Sequence, residues 1–244
     1  MPGTNQEFLA ANRVDQALLR YYALFHPREL TRVCRLNGRT GRGLVVVANA
    51  GFNDVRLVTL ASSDAAAARC LLYGCLEPAN RYFFVAELRY ARWLQRFLQH
   101  RSEETINVVA ITDRSSFRPF PGPEPGPQRY RASRAGGLLP YFGYRYTRGG
   151  EPVSQAFVIW QSDRFAEIGV FTRDDVRGRG YARAVVSALT GELLDRGITP
   201  LYVYDPANVA SHRVCVALGY YPAGREFSCY ASLPPLTPCR RALL

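Results

Sequence analysis

Between residues 165 and 196 the chain passes from an apolar stretch through Arg177-Gly178-Arg179-Gly180 into a helical pattern. The apolar positions Ala182, Val185, Val186, Leu189 and Leu193 of that pattern share one face. A strand feeding a glycine-rich turn and then a helix is a strong constraint. The first amides of a helix have no intrahelical acceptor, the helix dipole favours an anion beside them, and glycine admits a ligand to the backbone without a Cβ in the way. The junction therefore predicts an anion-binding helix N-terminus on a sheet. A P-loop needs a lysine, and the chain has none; a dinucleotide fingerprint needs a third glycine.

The surrounding pattern places this junction in a larger order. Apolar runs at 138–146, 153–160 and 165–172, joined by short turns, predict an antiparallel meander. After the helix at 178–196, ended by Gly197, come a strand at 201–204, a helix at 208–218 stopped by Gly219, and a strand at 226–232. The order is βββ-α-β-α-β. Upstream, a helix over 5–25 carries the stripe Val14, Leu18, Tyr21, Tyr22 and Phe25, followed by strands at 44–48 and 55–60. A helix at 64–73, a strand at 82–85, a helix at 87–99 and a strand at 106–111 complete an α/β layer without a chemical motif. Prolines at 119, 121, 123, 125 and 127 suit neither helix nor central strand and predict a linker. The expected division is an α/β domain at 1–116, a Pro-rich linker at 117–128, a second domain at 129–233 and a tail at 234–244.

The sequence Arg177-Gly-Arg-Gly180-Tyr181-Ala182 resembles the acyl-CoA pyrophosphate loop of the GNAT superfamily, (Arg or Gln)-x-x-Gly-x-(Gly or Ala). At the family's spacing, Asn208-Val-Ala-Ser211-His-Arg-Val-Cys215-Val-Ala-Leu218-Gly219-Tyr220 resembles the helix that ends in Leu-Gly-(Phe or Tyr). The resemblance spans about residues 130–232. It implies an α/β (α+β) fold of GNAT type: a mixed, mainly antiparallel sheet flanked by helices. The N-terminal α/β domain is compatible with a degenerate second copy. It also implies acetyl-CoA as co-substrate and N-acetyltransferase activity on an amine.

Residue by residue, the resemblance gives Val170 and Thr172 backbone contacts to the pantetheine arm. Gly178, Arg179, Gly180, Tyr181 and Ala182 offer amides to the pyrophosphate, with the Arg177 and Arg179 side chains adding charge. Asn208 and Ser211 face the cofactor, and Asn208 suits a helix N-cap as well. Acyl transfer to an amine needs a base and a donor for the departing thiolate. Glu167, acidic among Phe165, Ala166, Ile168 and Val170, is the expected base, since burial raises a carboxyl pKa. Cys215 stands where many family members carry a tyrosine. It is either the acid or a small buried apolar residue, with Tyr204, Tyr220 or water as substitutes.

Composition narrows the partners. The net charge of +11 sets 31 basic residues, all arginine, against 20 acidic ones, and such a balance draws nucleic acid, acidic lipid or a phosphate-rich cofactor. The arginines are scattered and no base-reading motif is present, which argues against nucleic acid. The six cysteines form no CxxC pair and the chain has three histidines, so no metal is expected and the thiols are expected reduced, in the cytoplasm. No run is long enough for a membrane span. The expected partner is a small-molecule or protein amine acceptor, with a homodimer left open. The alternative function is an acyl-CoA-binding sensor or scaffold without turnover.

Overall fold

The computed structural model describes residues 8–9, 13–38, 41–51, 55–132 and 141–235. It divides into two compact units, residues 1–107 with 225–244, and residues 108–224. Among the described residues no helix is long and apolar enough to cross a membrane.

The first unit holds helix α1 (Ala17–Leu24), strands β1 (Thr31–Gly38), β2 (Gly41–Ala48) and β3 (Arg56–Ser62), helix α2 (Ala65–Cys75), strand β4 (Tyr82–Glu87) and helix α3 (Ala91–Phe97). β1, β2 and β3 form an antiparallel meander, and the α2 crossover brings β4 parallel to β3. The expected strands at 44–48 and 55–60 and the helix at 64–73 correspond to β2, β3 and α2. β1 was not foreseen, because Arg32, Arg35 and Asn37 break its apolar pattern. That strand packs beside α2 and corrects the cysteine expectation: Cys34 on β1 and Cys75 at the end of α2 are joined as a disulfide, while Cys70, Cys215 and Cys229 are free thiols. Cys239 lies outside the described residues.

The second unit contains the end of β5 (Gln99–Ile111), then β6 (Gln128–Ala132), β7 (Tyr141–Arg148), β8 (Glu151–Gln161), β9 (Phe165–Thr172), helix α4 (Tyr181–Asp195), β10 (Thr199–Tyr204) and helix α5 (Val209–Ala217). Its strands run β5-β10-β9-β8-β7-β6, all neighbours antiparallel except β9 and β10. The expected βββ-α-β-α order is present, and the part of the first expected run at 138–140 lies outside the described residues. One sheet face packs on α4 and α5 through Ala156, Ile168, Val185, Leu189, Leu193, Tyr202 and Leu218, all buried. At roughly 1.5–3 kcal/mol for each fully buried large apolar side chain, this layer dominates the unit's stability.

The final strands depart from chain order. β11 (Tyr221–Ser232) pairs with β4 of the first unit, Glu226 to Ala231 opposite Glu87 to Tyr82. β5 pairs with β10 of the second, Val108 to Ile111 opposite Tyr204 to Leu201. The units therefore part at 107/108 and 224/225, inside strands, and not at the expected linker.

Residues 117–128 are correspondingly not a solvated linker but a strap within the second unit. Phe120 N–H donates to Ser187 Oγ on α4 at 2.8 Å, Arg118 N–H to the Leu218 carbonyl at 3.0 Å, and the Tyr146 hydroxyl to the Pro123 carbonyl at 2.8 Å. Alternate prolines leave enough amides and carbonyls for these bonds, and the aromatics Phe117 and Phe120 pack on the core. Gly219 serves the same strap. At φ +80° it terminates α5, and a Cβ there would stand 1.9 Å from the Ser116 carbonyl oxygen.

Candidate active site

The parallel ladder between β9 and β10 covers Phe165 with Thr199, Ala166 with Pro200 and Glu167 with Leu201. Beyond it the strands separate, and a cavity of about 440 Å³ opens between Val170, Phe171 and Thr172 of β9, Tyr202 of β10, the start of α4 and the start of α5. The outer edge of β9 stays paired to β8, Val170 with Ala156 and Thr172 with Ser154, so only its cavity-side edge is released from the parallel ladder.

The turn into α4 forms the cavity's polar end. Gly180 is the N-cap in the left-handed region at φ +82°, and no side chain caps the helix. A residue with a Cβ would be strained there and would meet the Phe120 ring at 3.3 Å. Arg177, Gly178, Gly180, Tyr181 and Ala182 line this end, while Asn208 and Ser211 line the α5 side. The Asn208 side chain accepts from Ser211 N–H at 3.0 Å, so it caps α5 and borders the cavity at once. An uncapped helix start, a released strand edge and a buried hydroxyl facing one hollow suit an extended ligand with a phosphate group.

Two expected residues, Arg179 and Cys215, stand elsewhere. Arg179 does not line the cavity, and Arg177 pairs with Asp174 at 2.7 Å. The charge at the cavity comes also from Arg183 and Arg213, which sequence reading missed. Arg183, three residues past Gly180, lies with its guanidinium 3.3 Å from the centre of the Phe120 ring, and its Nε is buried without a hydrogen bond. Cys215 is 1% exposed among Val185, Leu189 and Leu218 and does not line the cavity. Burial pushes its thiol up to about 12.

Glu167 occupies the fork where the parallel ladder ends, on the sheet face opposite that of its neighbour Ile168. It is part-buried and accepts from Trp160 Nε1–H at 2.5 Å. Burial pushes its carboxyl up to about 7, against the opposing effect of the indole hydrogen bond.

Residues 139–230 match the GNAT acetyltransferase family. The resemblance to the GNAT family is therefore shown over this segment. No curated protein matches the chain. Among solved structures, a GCN5-related N-acetyltransferase from Kribbella flavida is similar over 93% of this chain and 96% of its own, with a TM-score of 0.60 and 12% identity. A GCN5-related N-acetyltransferase-like protein from Streptococcus suis gives 90% and 98%, TM-score 0.55 and 17% identity. A tandem GNAT protein from the clavulanic acid biosynthesis pathway gives 92% and 89%, TM-score 0.59 and 13% identity. At such identities the likeness is one of fold, and it extends across both units. The fork of β9 and β10, the uncapped start of α4 and Glu167 all lie inside the matched segment.

Proposed function

We propose that the chain transfers an acetyl group from acetyl-CoA to an amine, the cofactor lying in the fork between β9 and β10. The observation that carries this reading is the convergence of the loop, the β9 edge and the α5 start on one cavity. The amides of the first turn of α4 and the Arg183 and Arg213 guanidinium groups bind the pyrophosphate. The backbone of Val170 and Thr172 holds the pantetheine arm as an added strand would. Acetyl-CoA supplies an activated acyl carbon. Glu167, poised near neutrality, takes the proton of the attacking amine, where a base with a pKa near the working pH is most effective.

One observation favours a binding-only reading: the position at which many family members carry a tyrosine is a core thiol, Cys215. Both readings meet in one experiment. Acetyl-CoA is titrated calorimetrically into the protein and its Gly180→Glu variant while a panel of amines is screened for release of free thiol. Binding by the wild type that is lost in the variant, with thiol release, is the expected result. Binding without release for any amine leaves the sensor, and no binding overturns the acyl-CoA reading.

A further inference from the structure

We infer that Tyr202 is the group that meets the departing sulfur of the acyl donor, its phenolic O–H donating to the thiolate as the C–S bond breaks. The inference rests on the acyl-CoA reading above.

Tyr202 is 2% exposed, and its hydroxyl is a buried oxygen with no hydrogen bond of normal geometry; Ser211 is its polar neighbour. Buried side-chain oxygens without a partner are uncommon in folded chains and point to a group reserved for a ligand. Tyr202 also lines the cavity, on the wall facing Val170 and Thr172.

Its place in the strand supplies the rest. Leu201 is the parallel partner of Glu167, so the two side chains share a face, and Tyr202, one residue on, projects to the other face. A donor threaded through the fork thus has Glu167 on one side and Tyr202 on the other. Cys215 lies close enough to Tyr202 to act on it electrostatically, so the phenol stands beside the position where family resemblance expects a hydroxyl.

The chemistry balances as follows. The amine lone pair bonds to the acyl carbon, and Glu167 takes the N–H proton. The C–S electron pair passes to sulfur, and CoA leaves as a thiolate hydrogen-bonded to Tyr202, to be protonated in water as Glu167 returns its proton to solvent. Burial pushes the Tyr202 hydroxyl up to about 12, well above a free thiol near roughly 8.5, so Tyr202 keeps its proton and acts as donor only.

The test uses Tyr202→Phe and CoA itself. The thiol of bound CoA is titrated by its ultraviolet thiolate absorbance, as the difference between CoA and desulfo-CoA complexes, with affinity measured by calorimetry. We expect the bound thiol to titrate about one pH unit higher in the variant than in the wild type, acetyl-CoA affinity to change less than about threefold, and kcat to fall roughly 10- to 100-fold. Equal thiol titration and equal kcat in both proteins, with CoA bound by both, overturns the role of Tyr202 and leaves the cofactor reading intact. A wild type that does not bind CoA overturns the cofactor reading, and this inference with it.

Discussion

Trp160 Nε1–H donates to Glu167 Oε2 at 2.5 Å between register partners on β8 and β9. This bond favours the carboxylate, while burial disfavours it more strongly, leaving the group at about 7.

A base must be deprotonated to act, so kcat/KM is expected to rise with pH through about 7. Trp160→Phe removes the bond that lowers the pKa and moves this limb to higher pH. A pH–rate profile of both proteins checks the direction. Stability runs the opposite way, because a carboxyl raised from 4.5 to about 7 binds its proton more tightly when folded. Its contribution is full below 4.5 and is lost as pH rises through 7. Glu167→Gln is therefore expected to exceed the wild type at pH 8, by at most about 3 kcal/mol in urea unfolding.

Arg183 borders the cavity with an unpartnered Nε, whereas Arg179 is not a lining residue. Arg183→Ala is expected to weaken acetyl-CoA binding roughly tenfold, the scale of one charge-assisted hydrogen bond, and Arg179→Ala less than about threefold. Calorimetry ranks them, and the reverse order refutes the placement.

Cys215 is buried in the core cluster of the second unit. Cys215→Ala is expected to lower stability by about 1–2 kcal/mol through the small void it leaves, with kcat within about twofold of wild type. A large loss of kcat in a stable variant contradicts this.

The first unit repeats the strand-helix-strand arrangement with its corresponding positions filled. Asp64 caps α2 by accepting from Ala67 N–H at 2.8 Å, placing a carboxylate where an anion would sit. Past the β3–β4 ladder, the Tyr90 hydroxyl donates to the Ser62 carbonyl at 3.0 Å and accepts from its N–H at 2.8 Å. Acetyl-CoA is accordingly expected to bind at one molecule per chain, and a calorimetric stoichiometry of two refutes it.

The cavity at the fork was legible because its parts are contiguous in sequence: a turn and two helix starts carry signals that glycine and asparagine print directly. What stayed hidden depends on residues far apart. Tyr202 reads as one more apolar strand residue, and only the end of the ladder at Leu201 gives it a cavity to face. The prolines at 119–127 read as spacers because composition reveals which amides are missing, not where those remaining bond. β6 was hidden in the same way, since Gln128 and Arg129 adjoin that run and only the register with β7 makes them a strand. β1 failed for its interspersed arginines, and the Cys34–Cys75 pairing failed with it.

The pairing of β11 with β4 bears on how the chain is made. During synthesis the first unit waits for residues 226–231, leaving the β4 edge open until the ribosome has completed the whole second unit. The half translated first is thus finished last. A premature stop between α5 and β11 would spare every residue of the cavity and strike the unit that contains none of them.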